Sequence, residues 1–397
     1  MNAIDFLAEA RRLRPRLSQI RRELHKYPEL SWQEVRTTHL IEAELVKLGA
    51  EIVPWGSATG AVALLRGAHP GRTVALRADI DALPVEEASD APYRSGIRGI
   101  MHACGHDAHA ACALGAATIL AAQAASMRGA VKFIFQPAEE KGGGASLLIE
   151  RGVLADPEVG AIFALHCQPD LPVGRVGLRE GPLMAANDLL DIIVRGQGGH
   201  GAMPDRTRDP LIAAAAIIQA LQTLVARGLD PQEAAVVSFG RITGGTTRNV
   251  IPDAVELEGG IRTLNPAVRA ELLPRVKRLA AQVAAAYGAT GEVSFPAYFP
   301  AVNNPAALVG FCRRSLVGMM AGERLVASRP VMVTEDFSQY QQLVPGVMLW
   351  LGTGNRELGL VHPLHSDRFD IDEDALVFGA AVMAKLAWDW LEDGNGR

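Results

Sequence analysis

The chain sets its reactive residues directly behind short apolar runs, and this pattern narrows the fold more than any other feature. Runs at 61–65, 73–78, 131–135 and 161–165 are short, apolar and bounded by Gly or Pro. Such runs read as strands. Three of them end in polar motifs: Arg77-Ala78-Asp79-Ile80-Asp81, Gln136-Pro137-Ala138-Glu139-Glu140 and His166-Cys167. Strands alternating with helices imply an α/β sheet covered on both faces, with sites collecting at strand ends.

The densest polar stretch is Met101-His102-Ala103-Cys104-Gly105-His106-Asp107-Ala108-His109, followed by a small-residue segment, 110–120. It reads as a polar cluster at the start of a buried helix. A helix start presents unpaired N–H groups and partial positive charge, which suit thiolate and carboxylate. From these residues alone it is a metal site, a thiol nucleophile or a polar turn.

Residues 5–26 read as an Arg-rich amphipathic helix, broken or kinked at Pro15. Ser31-Trp32-Gln33-Glu34 reads as a capping box opening a helix to Lys47, with Gly49 as its stop. Near residue 187 the pattern changes. A strand at 189–194 leads to a turn, Arg195-Gly196-Gln197-Gly198-Gly199-His200-Gly201-Ala202-Met203-Pro204. A helix (208–227), strands (234–242 and 254–263), a helix (267–287) and a strand (291–295) follow. This order is a ferredoxin-like α+β unit. The expected architecture is an α/β catalytic domain, a mixed sheet flanked by helices, in two parts (1–186 and 298–397). An α+β lid or dimerisation domain (187–297) is inserted, and a closing helix spans 373–391.

At 397 residues the chain exceeds one hydrophobic core, so two domains are expected. It is 49% hydrophobic and 21% charged, which is globular. The net charge of −5, with no basic stretch, excludes a nucleic-acid or membrane-surface footprint and leaves a small-molecule substrate. The N-terminus lacks the basic-then-apolar order of a signal peptide. The most apolar stretch, 211–226, is interrupted by Gln219 and Gln222 and is too short for a bilayer. Four cysteines without a CxxC fit a reducing cytoplasm.

The reactive candidates are Cys104, His106, Glu139, Glu140, His166 and His365. Each has a bland reading. A lone cysteine is a small hydrophobe, lone histidines satisfy cores, and paired glutamates are usually a solvated turn. Jointly, at strand and helix ends, they point to a metallohydrolase. One glutamate of an adjacent pair can bind metal while the other moves a proton, at a centre of two divalent ions about 3.5–4 Å apart. Cysteine, histidine and glutamate suit Zn, Mn, Co or Ni better than Mg or Ca. Two other classes stay open: a cysteine hydrolase with His106 or His109 as base, and a binding protein that keeps the fold without catalysis.

With Asn249-Val250-Ile251-Pro252-Asp253, Glu335-Asp336-Phe337-Ser338 and Leu364-His365-Ser366 added to these motifs, the chain resembles a family along nearly its whole length. The family is the metal-dependent amidohydrolases of hippurate hydrolase, aminoacylase and indoleacetyl-amino-acid hydrolase type, related to carboxypeptidase G-type metallopeptidases. The resemblance implies hydrolysis of N-acyl-amino acids, hippurate-like or N-acetylated, to a carboxylic acid and an amino acid. N-acetyldiaminopimelate deacetylation or peptidase activity is the alternative. It further implies that Cys104, His106, Glu140, His166 and His365 bind two divalent metal ions, and that Glu139 is the general base. His200 and Asn249 bind substrate from the lid, through which a homodimer or larger homo-oligomer forms. Asp79 matches an aspartate that orients a metal-binding histidine in distant relatives, with Arg77 standing in that histidine's place. Met332-Val333-Thr334 stands where relatives have Met-Gly-Gly, a change expected to reshape the acyl pocket wall.

Overall fold

A computed structural model describes residues 4–320 and 324–393; the ends of the first and last expected segments, and 321–323, lie outside it. The chain divides into two compact units, one of 1–181, 303–329 and 336–397, the other of 182–302 and 330–335.

The larger unit is built on an eight-stranded mixed sheet. Its strand order is Glu51–Ile52, Ala61–Arg66, Arg128–Gln136, His69–Asp79, Val159–Pro172, Gly346–Gly354, Val176–Leu178, Leu325–Ala327. The three strands that carry the polar motifs are mutually parallel neighbours, His69–Asp79 lying between the other two. Asp79 and the Glu139-Glu140 turn stand at the ends of two of them; His166, expected at a strand end, lies inside the longer Val159–Pro172 strand, two residues past the Ala164 that pairs with Arg77 and so level with Asp79. All three are buried on both faces over most of their length, which is why they read as continuous apolar runs.

Helices Phe6–Lys26, His106–Ala121 and Asp374–Asp393 pack on one another and the last two reach the His69–Asp79 strand. The 106–121 helix is buried nearly all round, and its small residues allow the close approach. A Cβ at Gly115 would lie 2.7 Å from both Ala380 and Leu17 side-chain atoms.

Two local expectations need correction. The first helix runs unbroken through Pro15. Proline removes one intrahelical bond, at a cost of about 3 kcal/mol. Burial of Ala10, Leu17, Ile20 and Leu24 along one face outweighs it. The capping box does not form. The helix begins at Val35, and Glu34 caps nothing with its side chain. The carboxylate that takes the first helical N–H groups is Glu29, bonded to Arg36 N (3.0 Å) and Thr37 N (2.8 Å). Ser31 and Glu34 are committed elsewhere. Gly49 closes this helix at φ +77° as expected.

The smaller unit has four main antiparallel strands, in the order Ala235–Thr243, Ala254–Thr263, Ala186–Arg195, Thr290–Ser294. Two helices, Pro210–Ala226 and Pro266–Ala286, pack together against this sheet. The sequence order strand-helix-strand-strand-helix-strand with this pairing is ferredoxin-like. Both helices start on proline behind a capping side chain, Asp209 to Leu211 N and Asn265 to Ala267 N. Met332-Val333-Thr334 is tied within this unit: Arg262 donates to Met332 O and Thr334 Oγ1 (both 2.9 Å). Among the described residues no helix is long and apolar enough to cross a membrane.

Candidate metal centre

The 106–121 helix starts from Gly105 at φ +86°. A side chain there would strain the backbone and put its Cβ 2.8 Å from Cys167 Sγ. This tight start lets Cys104 and His106, two residues apart, take part in the same ligand cluster. Their atoms converge with His166: Cys104 Sγ is 3.7 Å from His166 Nε2. Cys104, His106 and His166 form one triad with ligand atoms within 4.8 Å of one another, and Cys104, Glu140 and His365 form a second. Cys104 belongs to both. His106, Glu139 and Glu140 form a third group.

Hydrogen bonding settles which ring nitrogens are available. His106 Nδ1 donates to Asp81, 2.9 Å from its carbonyl and 3.2 Å from Oδ1. His166 Nδ1 donates to Cys167 O at 2.9 Å. Both rings therefore keep an Nε2 lone pair. The buried His106 Nε2 makes no hydrogen bond, nor does Glu140 Oε1, and the two lie 3.8 Å apart. Glu140 Oε1 is also 3.4 Å from His365 Nε2. Opposed acceptors left bare in a buried site call for a cation between them. Burial works against a proton on His106, yet Asp79 and its other neighbours hold its pKa well above the ordinary range; the same negative surroundings favour a metal cation at Nε2 in that proton's place. Burial pushes His166 down to about 3, keeping it neutral as a ligand must be. The donor set thus fits a divalent transition metal.

His365 adopts φ +65° and its N–H donates to Ala103 O (2.8 Å), which ties its loop to the Cys104 segment. Asp79 is fully buried; His109 Nδ1 donates to its Oδ1 (2.5 Å) and Arg77 to its Oδ2 (2.8 Å). Arg77 also donates to Gln136 Oε1 and Asp336 Oδ1 (both 3.0 Å). His109 accepts the Cys167 N–H on Nε2 (2.8 Å), so no ring lone pair remains for a metal. Asp107 turns away from the centre to Arg21 (3.0 Å) and His25 (2.8 Å). His102 is buried, pushed by desolvation down to about 4, and neither ring nitrogen is hydrogen-bonded.

Burial, and the Glu139 and Glu140 charges with it, push the Cys104 thiol well above its usual range despite His106. A nucleophilic cysteine needs the opposite shift.

The chain matches the model of peptidase family M20/M25/M40 over residues 75–389. It is 41% identical to N-acetylcysteine deacetylase of Bacillus subtilis over 373 residues, 94% of this chain and 96% of that protein. It is also 41% identical to thermostable carboxypeptidase 1 of Saccharolobus solfataricus, covering 96% of each. The chain belongs to peptidase family M20/M25/M40. It is thus a hydrolase of amide bonds. A crystal structure of a Bacillus subtilis protein described as a dinuclear metal-binding peptidase of the M20 family superposes with a TM-score of 0.85 at 39% identity. The match covers 96% of this chain and 99% of that one.

Within this family member, Asp81 and Glu34 are the residues that sequence reasoning missed. Asp81 accepts four hydrogen bonds: from His106, Ser31 Oγ (2.7 Å), Glu139 N (3.1 Å) and Glu140 N (3.0 Å). Burial opposes its charge, but these donors keep its carboxyl below the usual range. Its signal was visible: a second aspartate two residues beyond the strand end that carries Asp79. Glu34 Oε1 accepts the Ala138 N–H (2.9 Å), and burial pushes this carboxyl up to about 7.

In the smaller unit, His200 and Asn249 are neighbours on a two-stranded ribbon, Gly199–His200 against Val250–Ile251. Gly201 N donates to Asn249 O (2.9 Å), and both side chains are exposed. His200 Nδ1 accepts the Ala202 N–H (3.0 Å), so its Nε2 carries the proton and points outward as a donor.

Proposed function

We propose that the enzyme cleaves the amide bond of N-acyl-amino acids, benzoylated or N-acetylated, giving a carboxylic acid and a free amino acid. The supporting observation is an adjacent pair of glutamates on a braced turn, sharing a cluster with a thiol, His166 and a buried His106 whose Nε2 makes no hydrogen bond. In this reading Cys104, His106, Glu140, His166 and His365 would hold two divalent cations, Cys104 being common to both triads. The ions are Zn, Mn, Co or Ni. Bound there, they polarise the amide carbonyl and acidify water.

Glu139 takes a proton from the attacking water as its oxygen bonds to the carbonyl carbon. It returns that proton to the nitrogen as the C–N bond breaks. His200 donates from Nε2 to the oxyanion as charge develops, and Asn249 holds the substrate. Asp79 acts through the residues it fixes, Arg77 and His109. The smaller unit is the lid and pairs two copies, which sedimentation of the intact chain checks.

The similarity to a carboxypeptidase favours a second reading, in which the acyl group is itself an amino acid. Hydrolysis rates on hippurate, N-acetylcysteine, N-acetylmethionine, N-acetyldiaminopimelate and a benzyloxycarbonyl dipeptide, after loading with each metal, separate the two. Glu139→Gln is expected to keep the wild-type metal content and lose at least 10²-fold in kcat. Near-normal turnover in that variant removes Glu139 as the base.

A further inference from the structure

We propose that Glu34 is a positioning residue for catalysis: it holds the backbone from which Glu139 projects, through the Ala138 N–H. The inference rests on Glu139 being the base. Three consecutive amides, those of Ala138, Glu139 and Glu140, donate to buried carboxylates: the first to Glu34 Oε1, the others to Asp81 Oδ1 and Oδ2. Successive N–H groups turned to one side form an anion-holding nest, which needs a left-handed residue in the run. Ala138 is that residue, at φ +53°, a conformation that is unfavourable for a non-glycine residue and persists only when its surroundings enforce it.

What enforces it is a short segment ahead of the second helix. Ser31 Oγ donates to Asp81 (2.7 Å). Trp32 places its indole against Gly143, 3.5 Å from where a Cβ would stand. Glu34 is fully buried, with its second oxygen unpartnered, a costly placement for a carboxyl that serves only packing. Thr38 Oγ1 donates back to Glu34 O (2.6 Å) and accepts Gly60 N–H (2.8 Å), which fixes the segment to the sheet.

The two carboxylates divide the task. Asp81 also bonds His106, so its loss disturbs ligands. Glu34 takes its hydrogen bond from the turn at Ala138, one residue before Glu139, and takes none from a proposed ligand, so its loss acts first on the base.

The test compares Glu34→Gln, Glu34→Ala and the double variant Glu34→Ala/Ala138→Gly, with Glu139→Gln as reference for the base. Each is assayed for kcat, KM and bound metal. Glu34→Gln retains an acceptor oxygen and is expected within about threefold of wild-type kcat. Glu34→Ala is expected to lose 10- to 100-fold in kcat with KM within twofold and metal content unchanged. Glycine adopts the left-handed backbone unaided, so the double variant is expected to regain most of the lost kcat. Wild-type kcat in Glu34→Ala, equal losses in the Gln and Ala variants, or no recovery in the double variant each overturn the proposal. If Glu34→Ala does not fold, recovery of folding and turnover in the double variant supports the inference, and an unfolded double variant sinks it. Turnover by Glu139→Gln sinks the underlying reading instead, whatever the Glu34 variants do.

Discussion

A metal site is only as well defined as the groups behind its ligands, and here one carboxylate does most of that. Asp81 fixes the His106 tautomer by accepting a hydrogen bond from its Nδ1–H, and holds the turn carrying Glu139 and Glu140 by their N–H groups. It therefore aims two proposed ligands and the proposed base at once. Asp81→Asn keeps the shape but replaces one acceptor oxygen with an NH₂ that meets donors. Loss of such a supporting partner typically weakens metal binding 10- to 100-fold. Competition with a chromophoric chelator is expected to show that drop for Asp81→Asn. An unchanged affinity would mean that the histidine is oriented by the backbone carbonyl of Asp81 alone.

At the scale of elements, the α/β alternation and the strand-helix-strand-strand-helix-strand order were legible because both are written in local periodicity and turn residues. The clustering of Asp79 and the glutamate turn also followed from their place at the ends of parallel neighbours; His166 joins them from inside a strand that runs on to Pro172, because the parallel register sets it level with Asp79. What local pattern misassigned was Ser31-Trp32-Gln33-Glu34. A capping box is a statement about residues three apart, whereas the true partners of Ser31 and Glu34 lie 50 and 104 residues away. Pro15 misled for a related reason, its local cost being outweighed by packing that sequence neighbours do not reveal. The ribbon bearing His200 and Asn249 supplies the other element-scale prediction. With Nδ1 occupied by Ala202 N–H, His200 offers one fixed donor. Removing such a donor to a developing oxyanion costs about 10²–10³ in kcat. His200→Ala is expected to show a loss of that order with metal content and the larger unit's stability unchanged. Lost metal instead would assign His200 a structural part.

On the scale of the whole molecule, the larger unit is tied together by a buried charge network behind the metal centre. Arg21 bridges Asp107, at the start of the central helix, and Asp370, 349 residues further along the chain (2.5 Å). Tyr93 donates to the same Asp370 (2.8 Å), and His25 lies between Asp107 (2.8 Å) and Glu87 (3.4 Å). The network thus joins the first helix, the loop before the metal motif, that motif's helix and the segment after His365. His25 is its titratable member. Burial alone would lower its pKa, but Asp107, with Glu87, raises it to about 9, and nearby Arg21 opposes this only in part. A folded pKa above the unfolded value of about 6.5 gives stability that is complete below about pH 6.5 and is lost as pH rises through about 9. At roughly 1.4 kcal/mol per tenfold, the amount is on the order of 3 kcal/mol. Denaturant unfolding of the wild type and His25→Gln at pH 6 and pH 9.5, at matched ionic strength, isolates it. The variant is expected to be the less stable at pH 6 and to approach the wild type at pH 9.5. A gap independent of pH would show that His25 contributes by packing and hydrogen bonding, not by its charge.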